Sequence, residues 1–301
     1  MIRRLDPQTE RFLRDLAEVN RRLVSAQREV SSGRRVNQPS DDPDQISQLL
    51  ALRSEVSATE QMRSNLGRVT AEVNTAEQTL AAAVTRLERA AVLGTQGAGS
   101  MQAADQRTVI AHEVETLLQQ MVNLSNTTVE GRYIFSGNAD GQLAYTLDWS
   151  QSYPVSLYLG AAATREVMEP GGGRFPVAKT AAEIFDHSDP SKNVFQALNN
   201  LRAALLAGDE TAIGAALTQV KSASVHLNDQ LAFYGTVQNQ VTAALDAAYK
   251  KELRLNTRIS EIQDSDLTES IVAMNEARYQ QEVALSSKAR LPRTSLFDYL
   301  G

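Results

Sequence analysis

The sequence predicts a mainly α protein: long antiparallel helical rods, a coiled coil formed by both termini, and a small β domain inserted in the middle. Three observations carry that expectation. Apolar residues recur at three-and-four spacing over most of the chain, which is the period of a helix with one buried face. Aromatic residues are 5% of the 301 positions, while Ala, Gln, Leu and Arg are plentiful, a mix that favours long helices over a thick globular core. One stretch departs from this. Residues 131–190 hold the sole Trp (Trp149), together with Tyr133, Tyr145, Tyr153 and Tyr158 and Pro154, Pro170, Pro176 and Pro190.

The first helix is expected from Leu5 to Val30. Leu5, Phe12, Val19 and Ala26 are seven apart, and Leu16, Leu23 and Val30 form a second seven-spaced series. Together they make a heptad seam with Leu13 and Val24 beside it. The rest of the surface is polar, and Arg11, Arg14, Arg21, Arg22 and Arg28 are interleaved with Glu10, Asp15, Glu18 and Glu29. That reads as a solvated coiled-coil flank. Next comes a connection rich in turn chemistry, Val30 to Asp44. Gly33 suits a helix C′ position with positive φ. Pro39 biases Gln38 away from the helical region. Asp42 can cap the following helix, Pro43 fits its first position and Gln45 can close a capping box.

A second, unusually long helix is expected from Pro43 to about Val92, broken by the glycines between Gly94 and Ser100. A third should run from about Asp105 to Val129. After Gly131, short strands are expected at Arg132–Gly137, Ala144–Leu147, Val155–Leu159 and Arg165–Met168, with Gly171–Gly173 as a hairpin or loop. Helices return at Val194–Leu206 and from Asp209 to Leu255 or on through Ile262. Asp266 and Glu269 have capping-box spacing, and a last helix follows from Leu267 to Ala289. Leu267, Ile271, Met274 and Leu285 lie on one heptad seam, interrupted by Arg278 and Gln281. Single-seam helices are marginal alone in water, so the two termini should pair with each other and then with other copies. The expected domains are 1–42 plus 265–301, a terminal coiled coil; 43–130 plus 190–264, a helical rod; and 131–189, a small β-rich outer domain.

Several function classes find no support. Net charge is −6, which argues against nucleic acid as the main partner. No apolar run approaches the ~18–20 residues of a membrane span, so no membrane insertion is expected. The opening residues MIRRLDPQTERF lack the apolar region of a cleaved signal peptide. The chain has no cysteine, which excludes disulfides and thiolate chemistry. His112, His187 and His226 show no metal-ligand spacing. Asp41, Asp42 and Asp44 lack calcium-loop spacing, and Pro43 sits among them, so capping is the better reading. Gly171–Gly173 matches no phosphate-binding loop. No enzyme, metal or cofactor is expected.

Ser31-Ser32-Gly33-Arg34-Arg35-Val36-Asn37, followed by Pro39-Ser40-Asp41-Asp42-Pro43, resembles the N-terminal signature of the flagellin superfamily. Its Pro-Ser-Asp-Asp-Pro form is similar to the branch of hook-associated, hook–filament junction proteins. Gly131-Arg132-Tyr133-Ile134-Phe135-Ser136-Gly137 resembles that branch's junction between helix and β domain. Ile262–Asp266 and Ser295–Leu300 resemble its C-terminal pattern. The resemblance implies a structural protein of the bacterial flagellum, extracellular in the assembled organelle and exported by the flagellar type III apparatus. It implies a ring of copies between hook and filament. It also implies hook-associated protein 1, flagellin and an export chaperone as partners. Two alternatives stand beside it: a filament flagellin, and a coiled-coil sensor, which would need a membrane span.

Overall fold

The computed structural model describes residues 7–99 and 104–290, so Leu5, Pro292 and Ser295–Leu300 lie outside the described residues. In chain order the elements are α1 (Pro7–Ser32), α2 (Pro43–Gly97), α3 (Ala104–Ser125), β1 (Thr128–Val129), β2 (Arg132–Tyr133), β3 (Glu166–Met168), β4 (Arg174–Pro176), α4 (Ala181–Ile184), α5 (Val194–Ala207), α6 (Glu210–Gln263) and α7 (Leu267–Arg290). The fold is mainly helical, with two small antiparallel sheets and a pairing of the two terminal helices, α1 with α7. The chain divides into two compact units, residues 1–58 with 252–301, and residues 59–251.

In the unit of residues 59–251, Leu80, Leu87, Leu118, Met121, Leu198 and Leu227 sit in one continuous apolar core. α2 runs on to Gly97, past the break expected at Gly94. The glycines are there for close packing. A Cβ on Gly94 would lie 2.5 Å from Leu217 of α6, and one on Gly97 2.2 Å from Leu205 of α5. α3 stops at Ser125, four residues short of the expected Val129, because Asn126 leaves the helix to act as a clamp. Its Oδ1 accepts from the backbone N–H of Ala144 (2.8 Å) and Tyr145 (3.2 Å), and its Nδ2 donates to the Tyr145 carbonyl (2.8 Å). β1 and β2 then form a two-residue hairpin through Glu130 (φ 52°) and Gly131 (φ 77°). Both central residues have positive φ, as the favoured tight hairpin turn requires.

The segment 131–189, expected to stand apart as a β-rich domain, shares the helices' core. Phe135 packs edge-on against Phe185 (6.1 Å between centroids) and against Tyr234 of α6 (6.4 Å), and Tyr145 against Phe195 of α5 (5.1 Å). Its regular structure is sparse. Of the strand expected at Arg132–Gly137 only Arg132–Tyr133 pairs, because Ile134 and Phe135 turn inward and are buried. The strands expected at 144–147 and 155–159 reduce to the bridge Leu147↔Val155. β3 and β4 form the hairpin around the triple glycine. Packing of large rings, and not ladder bonds, therefore holds most of this segment.

Gly137 has φ 61°, and a Cβ there would lie 2.0 Å from the Ala161 carbonyl oxygen. Gly137→Ala should lower the stability of this unit by about 2–4 kcal/mol. Gly141→Ala, with open space around it, should change it by no more than about 0.5 kcal/mol. Denaturant unfolding followed by Trp149 fluorescence distinguishes the two.

Candidate assembly site of the terminal helices

The unit of residues 1–58 and 252–301 is held by α1 on α7. α1 turns its heptad seam inward. Ala26 is buried, and Phe12, Leu16, Val19, Leu23 and Val30 are half-buried, while Leu13 and Val24 stay exposed. α7 presents a different face from the one its large apolar residues mark. Ser270 and Ala277 are buried and Met274, Gln281, Ala284 and Lys288 half-buried, all at three-and-four spacing. Of the seam expected on α7, Met274 belongs to this face. Ile271 (43% exposed) and Leu285 (50%) do not, and Leu267 (50%), seven residues before Met274 on the same row, is exposed at the start of the helix. Polar contacts account for the rotation. Ser270 Oγ donates to Glu29 (3.1 Å), Gln281 Nε2 donates to Asn20 Oδ1 (2.6 Å), and Lys288 Nζ stands 5.4 Å over the Phe12 ring. Small side chains at Ser270, Ala277 and Ala284 also let the two backbones approach.

The connection after α1 is clasped to the end of α6. Gly33, at φ 70°, turns the chain out of α1 while its N–H still bonds the Glu29 carbonyl (2.8 Å). Arg34 then bridges antiparallel to Asp264. The N–H groups of Arg35 and Val36 both reach the Gln263 carbonyl (2.7 and 3.2 Å), and the Ser265 N–H bonds the Gly33 carbonyl (3.1 Å). Val36 and Gln263 are buried. Side chains complete the clasp. Gln263 Oε1 accepts from Arg53 of α2 (3.0 Å), and Arg35 donates both to the Ile262 carbonyl (2.9 Å) and to Asp42 (3.0 Å).

The rest of the motif shapes the loop between Gly33 and Pro43. Ser31 and Ser32 bond the Arg28 carbonyl (3.0 and 2.7 Å), and Ser32 Oγ accepts the Arg34 N–H (3.1 Å). Asn37 Nδ2 donates to the Arg34 carbonyl (2.7 Å). Pro39 and Ser40 occupy the middle of a turn closed by the Asp41 N–H on the Gln38 carbonyl (2.9 Å), where proline's fixed φ is pre-set. Asp41 accepts from the N–H groups of Asn37 (2.9 Å) and Gln38 (2.8 Å). Burial pushes its carboxyl up, but these backbone donors outweigh it and hold the group below the usual aspartate range. Asp42 caps α2 through the Gln45 N–H (3.3 Å), and Pro43 opens that helix without a lost donor. Asp266 caps α7, accepting from the N–H of Thr268 (2.8 Å) and Glu269 (3.3 Å).

The structure therefore brings the α1 seam, the motif Ser31–Pro43 and the start of α7 into one unit. Gly131, Arg132, Tyr133, Phe135, Ser136 and Gly137 belong to the other. Sequence patterning missed Gln263, Ser270 and Ala277, because none is a large apolar residue. It also kept the histidines apart. The rings of His187 and His226 lie 5.4 Å from each other, with His226 Nε2 3.0 Å from the Glu183 carbonyl. Burial lowers the His226 pKa, which keeps the ring neutral as a packing residue. Among the described residues, no group of three or more His, Cys, Asp or Glu could hold a metal ion.

A model of the bacterial flagellin N-terminal helical region matches residues 9–140, and one of the flagellin C-terminal helical region matches residues 211–300. The chain belongs to the flagellin superfamily. Within it, similarity to hook-associated proteins runs through most of the chain. Flagellar hook-associated protein 3 of Salmonella typhimurium is 25% identical over 244 residues, 79% of this chain and 74% of that protein. The same protein of Escherichia coli is 23% identical over 262 residues, 85% and 79%. Flagellin B of Helicobacter pylori is 28% identical over 120 residues, 40% of this chain and 23% of that protein. A flagellar hook-associated protein of Vibrio parahaemolyticus shares the fold at TM-score 0.65 and 21% identity, covering 74% of this chain and 100% of that structure. Bacillus cereus FlgL does so at TM-score 0.57 and 22% identity, covering 69% and 98%. Membership of the flagellin superfamily makes the chain a structural protein of the bacterial flagellum.

Replacing Gln263 by Leu removes the acceptor of the Arg53 guanidinium and the donor to the Val36 carbonyl. The expected cost to the unit containing α1 and α7 is about 1–3 kcal/mol. Gln48→Ala, exposed on α2, should cost less than about 0.5 kcal/mol. Thermal unfolding by circular dichroism measures both.

Proposed function

We propose that the chain is the junction protein that joins hook to filament, acting as a ring of identical copies. The observation that carries this reading is the extent of similarity. It runs through most of the chain for the hook-associated proteins and through two fifths of it for a flagellin. The terminal unit suits an assembly role. α1 and α7 are paired, yet Leu13, Val24, Leu267, Ile271, Tyr279 and Leu285 remain exposed on them. Large apolar residues left exposed along both paired helices offer surface for an interaction face.

In this reading α1 and α7 build the contact with neighbouring copies. Phe12, Leu16, Val19, Leu23, Ala26 and Val30 support that contact from within the unit. Hook-associated protein 1 lies on one side of the ring and flagellin on the other. A cytoplasmic chaperone escorts the chain to the flagellar type III apparatus, which exports it. The motif Ser31–Pro43 is structural, since its side chains are engaged in closing the loop and capping α2.

Cells lacking the gene should carry hooks without filaments and release flagellin into the medium, as seen by electron microscopy and immunoblotting. Filaments of normal number and length in such cells would overturn the junction reading.

A further inference from the structure

Three residues of α6, His226, Gln230 and Tyr234, are buried and stand four apart on one row of the helix. All three reach the same short segment, residues 179–183, which leads from β4 into α4. Tyr234 Oη accepts the Lys179 N–H (3.1 Å), and Gln230 Oε1 accepts from Lys179 Nζ (2.7 Å). His226 Nε2 stands 3.0 Å from the Glu183 carbonyl. Lys179 also lies over the Phe233 ring (4.6 Å), and the Ala181 N–H bonds the Phe135 carbonyl (2.8 Å). These rungs strap the end of segment 131–189 to α6, beside the buried rings of Phe135 and Phe185.

The donors along this row all point one way. A lysine ammonium only donates and a carbonyl oxygen only accepts, so both ends of the chain of bonds are fixed. Gln230 turns its oxygen to Lys179, which leaves its Nε2 to donate to His226 Nδ1 (3.4 Å). His226 carries its proton on Nε2 to bond Glu183. A second proton, on Nδ1, would face the N–H groups of the Gln230 amide, and flipping that amide would turn them on Lys179. The neighbouring His187 ring already accepts the Asp189 N–H at its own Nδ1 (3.0 Å). The carboxylates nearby are engaged. Glu183 accepts from the Thr180 N–H and hydroxyl (2.9 and 3.2 Å), Asp186 from Tyr145 and Asn193 (3.2 and 2.7 Å), and Asp189 from Ser191 (3.0 and 2.8 Å). Asp229, three residues on along α6, is exposed. Burial holds the His226 pKa below the usual histidine range; the Glu183 carbonyl works against that, and the charges of His187, Lys192 and Lys179 add to it.

We propose that His226, Gln230 and Tyr234 form an acid-released latch, which holds residues 179–183 on α6 at neutral pH and lets them lift when His226 takes a second proton. Once released, the ring is hydrated and titrates at about 6.5. While held, it is charged only by giving up the Gln230 bond. The released form therefore binds the proton more readily, and acid favours it. The latch is at full strength above about pH 6.5 and weakens by up to about tenfold for each unit below it, until the held ring titrates as well. Release is a local opening of residues 179–185, and the long helices stay packed.

Amide hydrogen exchange of the full chain, followed by nuclear magnetic resonance from about pH 7.5 to about pH 5 and corrected for intrinsic rates, reads the latch. Protection at Lys179, Ala181 and Phe185, whose N–H groups are bonded in the held form, should fall by up to about tenfold per unit below about pH 6.5. Leu118 and Met121 of α3 should keep theirs. His226→Gln retains a donor and an acceptor without a titrating proton, and should flatten the profile. Gln230→Glu supplies an acceptor for the second proton, and should keep protection at about pH 5.5 roughly tenfold above the unchanged protein. His187→Gln should leave the fall in place. The imidazole resonances of His226 in the unchanged protein check the sensor without any substitution, and a midpoint at or above about 6.5 contradicts it. A flat profile in the unchanged protein, an equal fall in His226→Gln or Gln230→Glu, or a fall abolished by His187→Gln would overturn the latch. So would a parallel loss at Leu118 and Met121, which would mean that acid loosens the whole core.

Discussion

The terminal unit depends on one interaction, the backbone clasp between Arg34–Val36 and Gln263–Ser265. α1 and α7 are each a single-seam helix, and such helices are marginal alone in water. Their shared interface is thin in large apolar side chains on the α7 side, where Ser270, Ala277, Gln281 and Ala284 do the covering. An interface of that kind has little power to choose its own rotation or level. The clasp supplies the choice. It fixes where α1 ends and where α7 begins within a few residues of each other, so the two helices leave it already aligned. Arg35 and Gln263 tie the same point to α2 and α6 through Asp42, Arg53 and Ile262.

That division of labour explains an apparent waste. α7 has Ile271 and Leu285 available, and turns them outward. A helix that only had to hold its own chain together would bury them, at about 1.5–3 kcal/mol for each fully covered side chain. Leaving them exposed is consistent with a chain whose terminal helices must be covered by other molecules. The internal pairing is held by small residues and two side-chain hydrogen bonds, and the larger apolar residues Ile271 and Leu285 stay exposed.

Much of this was legible in the sequence, for reasons that can be traced. The α1 seam shows because six large or medium apolar residues keep strict heptad spacing, and the structure turns that seam inward. The α7 face did not show, since hydrophobic spacing ranks Leu267, Ile271 and Leu285 above Ser270 and Ala277 and says nothing about which face a partner uses. Glycines misled at Gly94, where the need was space for Leu217 and not a turn. In residues 131–189 the change of composition was plain, but the strands were overstated, because Phe135, Tyr145 and Phe185 earn their place by burial in the common core. The clasp was the least legible feature. Backbone pairing between positions more than two hundred residues apart leaves no periodic trace, and only the resemblance at Ile262–Asp266 pointed to that region.

Amide hydrogen exchange on the intact chain tests the role of the clasp most directly. The N–H groups of Arg35, Val36 and Ser265 should be protected together with those of α1 and α7, and Gln263→Leu should release the whole set at once. If α1 and α7 keep their protection while the clasp amides exchange freely, the clasp is a passenger and the terminal helices set their own alignment.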